Sequence, residues 1–255
     1  MQLCKNPREP FTPTKPMRIP VLQGVIDRRI LVNFSAEPDV VAKLIPSPFC
    51  PKIYREKAVV GICLIRLKHV RPAGFPAWLG ISSENGAHRI AVEWAEEDGQ
   101  TKQGVFIPRR DTSSLLNHLA GQRVFPGRHH RARFLVHEEK GRYQVAFTSD
   151  DGTSIALDAR KADTFTSKIF PSLSEASRFF EGGAVGFSPS GSDYEGLELR
   201  AFSWNIEPLH VSAVQSSFFE NEFFFPKDSI QFDNALLMTK IAHEWHSVGR
   251  KRSCV

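Results

Sequence analysis

Ionisable side chains fall at matching positions on two neighbouring segments of the chain. Glu84 and His88 lie in one segment and Arg109 lies in the next, with Asp98-Gly99 between them as a hairpin turn signal. If this pair forms the turn, positions that sum to 197 face each other, and His88 pairs with Arg109. The other predicted pairs are Ile90 with Ile107, Val92 with Val105, and Trp94 with Gln103. A carboxylate, an imidazole and a guanidinium on one face, removed from water, suit acid–base chemistry or anion binding.

In two other segments, the apolar stripe also leads to ionisable residues at one end. The apolar positions Val136, Phe134 and Ala132 lead back to His130 and Arg128, and those of the first predicted strand lead back to Arg28. Because side chains alternate along a strand, these groups share the face of the apolar residues. We therefore expect an interior site with Glu84, His88 and His130 as acid–base groups and with Arg28, Arg109 and Arg128 as anion-binding groups. The alternative is that these are solvated strand ends without a function.

Apolar residues alternate with period two along much of the chain, which predicts strands. The alternating sets are Ile30, Val32 and Phe34; Ile90, Val92 and Trp94; Ala132, Phe134 and Val136; Tyr143, Val145 and Phe147; Ile155, Leu157 and Ala159; and Phe202, Trp204 and Ile206. The run Ala58–Ile65 is continuously apolar, which is typical of a strand buried on both faces. Lys140-Gly141 and Asp151-Gly152 favour further hairpins.

Three short helices are predicted between these strands. Ser35 is expected to cap a helix that stops at Pro46, and Ser172 and Glu175 form a capping-box pattern for a helix that ends at Gly182-Gly183. The run from Gly182 to Gly186 is expected to be a helix stop and a loop. A stripe of leucines predicts the third, at Leu115, Leu116 and Leu119. Many strands with few helices indicate an α+β fold, a mainly antiparallel β-barrel-like sheet with about three short helices.

The positive charge of the chain lies at its ends. The 255 residues carry a formal charge of +5, of which residues 1–18 supply +3 and residues 249–255 supply +3, leaving −1 for the rest. We predict a disordered leader (1–16), one domain (17–248) and a basic tail (249–255). Short basic ends do not make a nucleic-acid-reading surface. The absence of a long apolar run or a signal-peptide pattern argues against a membrane and favours a cytoplasmic protein.

Sequence motifs for common cofactors and metals are missing. There is no phosphate-binding loop, dinucleotide-binding GxGxxG or GxSxG nucleophile elbow. His243 and His246 are three residues apart and not four, and in one strand they would point to opposite faces. We therefore expect neither a cofactor nor a metal.

Several segments in order resemble a widespread bacterial family of unknown function that is similar in fold to acetoacetate decarboxylase. The segments are DRRILVNFSAEPDVVAKLIPSPF, AVVGICLIRLKHV, ISSENGAHRIAVEW, GVFIPRRDTSSLLNHLAG and VFPGRHHRARF. The resemblance covers residues 17–248, is clearest from Asp27 to Phe134, and implies a barrel-like fold with an interior cavity. It places the decarboxylase's glutamate on Glu84 and its first-strand arginine on Asp27 or, with a one-residue slip, on Arg28.

The same resemblance fails at the lysine that forms the Schiff base. The Pro-Lys-Lys of the decarboxylase corresponds to Pro126-Gly127-Arg128, and a gap brings in His129 and His130 instead. Its second glutamate falls near Gly61 or Ile62, where this chain is apolar. Imine formation needs an amine, which arginine and histidine cannot replace. We add His129 to the expected anion-binding residues and expect no Schiff-base decarboxylation.

The function predicted from the sequence is an interior pocket for a small anionic or keto-containing molecule. A non-covalent lyase, isomerase or hydrolase that uses a Glu/His pair, and a structural barrel without a ligand, are the alternatives. The sequence leaves turnover and oligomeric state open.

Overall fold

The computed structural model describes residues 20–114 and 126–252. The predicted leader and the predicted helix at Leu115, Leu116 and Leu119 lie outside the described residues. The strands are β1 (Leu22–Ala36), β2 (Cys50–Pro51), β3 (Ile53–Tyr54), β4 (Lys57–Pro72), β5 (Ile81–Ala95), β6 (Thr101–Thr112), β7 (His129–Glu139), β8 (Arg142–Ser149), β9 (Ser154–Lys161), β10 (Val185–Ser190), β11 (Asp193–Ala201), β12 (Glu207–Ser216) and β13 (Ile230–Arg252). The helices are α1 (Pro38–Ala42), a 3-10 turn (Ala77–Leu79) and α2 (Leu173–Glu181).

The strands form one mostly antiparallel sheet that returns on itself. Its order is β11-β10-β6-β7-β8-β9-β12-β13-β1-β4-β5-β2, and β3 pairs with β4. Two additional pairings, β5 with β6 and β11 with β13, join strands that are distant in this order. The long strands β1 and β4 lie side by side, and their pairing runs from Leu22 to Ala36. The predicted α+β class, dominated by antiparallel strands, is confirmed.

The core contains two large clusters on opposite faces of the central strands, and a small third cluster at Leu22 and Leu197. The first cluster contains the alternating residues predicted for five strands, among them Ile30, Val32, Ile90, Val145 and Leu157. The second cluster is made of residues of the other parity, such as Leu31, Cys63 and Ala91, together with Phe179 and Phe180 of α2. The run Ala58–Leu64 is buried throughout, which confirms the prediction of a strand covered on both faces.

The β5–β6 hairpin has a different register from the predicted one over most of its length. Its loop contains three residues, and the last of them, Gly99, has a φ of 79°. A left-handed glycine at this position is typical of three-residue hairpin loops. Ile90 therefore faces Phe106 and not Ile107, while Val92 faces Gly104 and Trp94 faces Lys102.

A bulge in β6 restores the predicted register beyond this point. β6 has one extra residue between Phe106 and Arg109, and His88 then faces Arg109 as predicted. Pro108 lies in this stretch, and proline cannot donate a hydrogen bond to a neighbouring strand. A bulge accommodates it because the extra residue is left out of the ladder.

The helices and turns agree in part with the prediction. α2 begins after Ser172, whose side chain accepts a hydrogen bond from the backbone N–H of Glu175, and Gly182 follows its last turn. Ser35 does not cap α1, because β1 continues to Ala36 and Glu37 takes the capping position. The two-residue turn Lys140-Gly141 is present between β7 and β8. In the described part of the chain, no helix is long and apolar enough to cross a membrane.

Two further segments differ from the prediction. Phe202, Trp204 and Ile206 are not a strand but the connection from β11 to β12, where Trp204 donates a hydrogen bond to Ser177 of α2 (2.9 Å). Trp204 and Ile206 pack in the second core cluster, whereas Phe202 is exposed. Gly186, expected in a loop, lies in β10, where a Cβ atom would come within 2.9 Å of Ile107.

Strand β13 includes part of the predicted basic tail. It extends to Arg252, and Arg250 donates a hydrogen bond to Glu195 (2.7 Å) while Lys251 binds Glu96 (2.8 Å). Residues 249–252 therefore belong to the folded domain. The same strand places His243 inside and His246 at the surface beside Glu244, on opposite faces as the alternation predicts.

Acid should destabilise the fold through His243. Burial lowers the pKa of this imidazole to about 4, whereas the unfolded chain has an ordinary pKa near 6.5. The unfolded state therefore binds more protons between these values, and stability present above pH 6.5 is lost as the pH falls towards 4, by up to about 3 kcal/mol.

Urea unfolding at pH 7 and at pH 4.5 measures this loss. We expect His243→Gln to reduce the difference between the two pH values and the exposed control His210→Gln to leave it unchanged. Equal pH dependence in wild type and His243→Gln would show that other groups cause the acid sensitivity.

Candidate functional site

The predicted residues Arg28 and Glu84 belong to a buried ion-pair network. Arg28 is 1% exposed, and its guanidinium binds Glu84 (2.6 Å) and Glu138. Arg66, on β4, binds the same two carboxylates, at 2.5 Å from Glu84 and 3.0 Å from Glu138. Asp27 and Lys68 extend the network from Arg66, so three cations face three anions and no uncompensated charge is left to attract a ligand.

The predicted residues His88 and Arg109 lie next to each other around a buried carboxylate. Asp111 is 1% exposed and accepts hydrogen bonds from Arg109 (2.7 Å) and from Ser149 (2.6 Å). His88 Nδ1 lies 3.5 Å from Asp111. Burial lowers the pKa of His88, although Asp111 opposes the shift, so the ring stays neutral at physiological pH.

His88 is also enclosed by aromatic rings. The centroids of Phe218 and Phe219 lie 4.4 and 5.6 Å from its own. Arg109 continues outwards to Asp151 (2.8 Å), and the hydrogen bonds from Arg109 hold the pKa of Asp151 well below its usual range. His130 lies at the outer end of this chain, 3.5 Å from Asp151. The series therefore runs from a closed interior to the surface.

One group of described residues has donor atoms close enough for a metal. His130, Asp150 and Asp151 offer atoms within 4.8 Å of one another. A cation bound there would compete with Arg109 for Asp151. The existing ion pair between Arg109 and Asp151 is therefore favoured over a bound metal ion.

An interior cavity lies on the opposite face of the same strands. It has a volume of about 130 Å³ and is bounded by β1, β4, β5, β6 and α2. Its ionisable wall contains Arg29, Arg89, Arg110 and Lys52, each contributed by a different segment. Three of these positions are one residue away from predicted ones, since Arg29 follows Arg28, Arg89 follows His88 and Arg110 follows Arg109. Because alternation reverses the face at each residue, these arginines lie on the face of the strands opposite to the predicted residues.

Among the predicted site residues, His129 is the one that lines the cavity. Arg128 is exposed, and Arg28, Glu84, His88, Arg109 and His130 take part in the contacts described above. The sequence did contain a signal for the second face. A strand buried on both sides, as the run Ala58–Ile65 predicts, can carry polar residues at the ends of both faces.

The three cavity arginines have no carboxylate partner in residues 20–114 and 126–252. Arg89 is 6% exposed and donates a hydrogen bond to the amide oxygen of Asn33. Arg110 donates to the carbonyl of Pro126 (3.0 Å) and to Ser188 (3.2 Å). Burial lowers the pKa of Arg110 to about 10. Buried cations are costly unless an anion compensates them, so this wall attracts negative charge.

Arg29 and Lys52 complete the polar wall. Arg29 Nη2 lies 3.8 Å from the sulfur of Cys63. Burial lowers the pKa of Lys52, with Glu93 partly opposing the shift, and its ammonium lies 4.0 Å from the ring centre of Phe179. Asp111 contributes a carboxylate to the lining, but Arg109 and Ser149 already bind it. The cavity is therefore electropositive.

A family model covers most of this architecture. Residues 26–230 match DUF2071, described as an uncharacterized conserved protein. The chain belongs to this family. No curated protein sequence matches the chain.

Solved structures with the same fold include enzymes. Acetoacetate decarboxylase from Legionella pneumophila superposes with a TM-score of 0.58 at 12% identity, over 99% of this chain and 93% of that one. An acetoacetate decarboxylase-like enzyme from Sphingomonas wittichii RW1 gives 0.53 at 12% identity, over 92% of each chain. The enduracididine biosynthesis enzyme MppR, complexed with pyruvate, gives 0.52 at 9% identity, over 95% of this chain and 91% of that one. At these identities the likeness establishes the fold, which confirms the expected resemblance, and does not establish a shared activity.

Adjacent arginines of β1 should differ in their effect on stability. Arg28→Met removes a cation between Glu84 and Glu138 and should cost about 3 kcal/mol, because it leaves buried carboxylates less compensated. Arg29→Met removes a cation that has no carboxylate partner among the described residues, so its cost should be below about 1 kcal/mol.

Urea unfolding of the two variants at pH 7 measures the difference. Equal destabilisation by both substitutions would contradict the assignment of Arg28 to structure and Arg29 to the cavity.

Proposed function

We propose that the cavity binds a small anionic molecule, a carboxylate that also carries a keto group. The observation that carries this proposal is the set of three guanidiniums, Arg29, Arg89 and Arg110, without a carboxylate partner in the described ranges. An anionic ligand would supply the missing charge. Guanidinium binds carboxylate in a planar, two-point geometry, so these residues also suit the shape of such a ligand.

The size and walls of the cavity restrict the ligand further. A volume of about 130 Å³ admits a molecule of a few non-hydrogen atoms. Apolar side chains such as Leu67, Ile107 and Phe180 form much of the remaining wall. The ligand therefore needs a charged end for the arginines and a short, weakly polar remainder. We infer that the returning sheet acts as a barrel around this molecule.

Two placements support a function other than Schiff-base decarboxylation, and a third concerns the acid–base alternative. The positions that the resemblance aligned with the decarboxylase lysines are Gly127 and Arg128, and Arg128 is exposed. Lys52 does line the cavity, but its ammonium packs against Phe179. The alternative of acid–base catalysis by Glu84 and His88 lacks support, because neither residue lines the cavity.

Thermal unfolding in the presence of small molecules tests the anion site. Acetate, pyruvate and inorganic phosphate are the anionic probes, and acetone is the matched neutral probe. A ligand present at 100 times its dissociation constant stabilises the folded state by about 2.7 kcal/mol, which raises the midpoint by a few degrees. We expect a shift with pyruvate and none with acetone.

Arginine variants locate the site. Arg29→Gln and Arg110→Gln should each weaken the pyruvate shift, because each removes a positive charge from the cavity wall. The matched control is Arg133→Gln, an exposed position on β7 outside the lining. No pyruvate shift in the wild type, or an equal loss in Arg133→Gln, would overturn the proposal.

Reductive trapping tests the absence of a Schiff base. The protein is incubated with pyruvate or acetoacetate and then with borohydride, which would fix an imine as a stable amine. We expect intact-protein mass spectrometry to show no added mass, because the ammonium of Lys52, which lines the cavity, packs against the ring of Phe179. An adduct mapped to Lys52 would reverse this part of the proposal and assign that amine a covalent role.

A further inference from the structure

The cavity wall contains a thiol among its cations. Cys63 lies on β4, is 4% exposed, and belongs to the cavity lining. It is a free cysteine. Its sulfur is 3.8 Å from Nη2 of Arg29, close enough for a hydrogen bond to sulfur. The thiol therefore faces the same space as the arginines proposed to hold an anion.

The surrounding charges favour the thiolate. Burial alone raises the pKa of Cys63, but the guanidiniums of Arg89 and Arg29 outweigh burial, and the net effect lowers the pKa. The thiolate is the nucleophilic form of cysteine, and nearby cations are the usual means of stabilising it. One thiolate neutralises one of the three arginines, so the wall still carries positive charge for a ligand.

A second observation points to a ligand beside this thiol. Arg89 is more than nine-tenths buried, lines the cavity, and has an Nε–H without a hydrogen-bond partner. A buried donor of this kind is costly unless a partner arrives. A carboxylate that accepted this hydrogen bond would lie in the same cavity as the sulfur of Cys63. Arg29, Lys52 and Arg110 are partly exposed, so small molecules can reach the cavity from solvent.

We propose that Cys63 is a nucleophile that forms a reversible covalent bond with a small α-keto carboxylate held by Arg29 and Arg89. This inference rests on the proposed anion site and adds the chemistry of its substrate class. The sulfur lone pair of the thiolate attacks the keto carbon, and a carbon–sulfur bond forms. The electron pair of the C=O double bond moves to the oxygen, which takes a proton from water. The product is a hemithioketal, and the reverse steps release the keto acid.

Alkylation of the wild-type protein measures this reactivity with reagents of matched size. Iodoacetate carries a carboxylate and iodoacetamide carries a neutral amide, and in each case the thiolate forms a carbon–sulfur bond while iodide leaves. Peptide mass spectrometry over time gives the rate at Cys63. An ordinary thiol reacts no faster with the anionic reagent, so the urea-unfolded chain serves as the internal control.

We expect the folded protein to prefer iodoacetate at Cys63 by about tenfold, which corresponds to about 1.4 kcal/mol of attraction between the carboxylate and the arginines. Pyruvate should slow this alkylation, and Arg29→Gln should reduce the preference. The exposed control Arg133→Gln should keep it. An unreactive Cys63, or the same reagent preference in folded and unfolded protein, would overturn the inference.

Acetate binding separates this inference from the proposed function. Acetate has the charge of the ligand but no electrophilic carbon, so its thermal shift reports the anion site alone. An acetate shift without selective alkylation would overturn the role of Cys63 and leave the anion site intact. The absence of both effects would overturn the two proposals together.

Discussion

Burial of both faces of β1 and β4 is the constraint on which the rest of the structure depends. The sheet returns on itself on one side of these strands, and α2 covers the other side. Over the buried stretches of both strands, neighbours in sequence therefore enter different cores. Some polar residues near the strand ends find charged partners inside the protein, and others line the cavity without a carboxylate partner among the described residues.

Arg28 and Arg29 show both outcomes in adjacent residues. Arg28 enters the first face, where Glu84 and Glu138 balance its charge together with that of Arg66. Arg29 enters the second face, where its neighbour is the sulfur of Cys63. An ion-pair network with compensated charges holds the fold in one arrangement. A cavity wall with excess positive charge destabilises the folded state unless an anion binds. The contrast separates a structural site from the proposed binding site on the same strands.

The relatives in fold place this arrangement in context. An acetoacetate decarboxylase and an enzyme complexed with pyruvate share the architecture at 12% identity or less. Proteins that share a fold at such low sequence identity place side chains at similar positions. The chemistry at those positions depends on the residues of each protein's own site. In this chain the cavity wall offers arginines and a thiol. The proposed chemistry therefore follows from its own residues and not from those of the relatives.

The sequence by itself determined the class of fold, the alternating strands of the first core, the doubly buried β4 and the capped helix α2. These features follow from the hydrophobic periodicity of each segment and from its helix-capping residues. Both are local properties of the sequence and do not depend on tertiary contacts. It also located the polar ends of β1, β5, β6 and β7, where the charged residues are.

Only the tertiary structure decided which face of those ends holds the cavity. In a strand buried on both sides, hydrophobic alternation no longer marks one side as the interior, so Arg28 and Arg29 are equivalent by pattern. The three-residue loop at Gly99 and the bulge near Pro108 each shift the register by one residue. A shift of one residue exchanges the two faces, and the length of a turn or a bulge is set by contacts that no single strand contains.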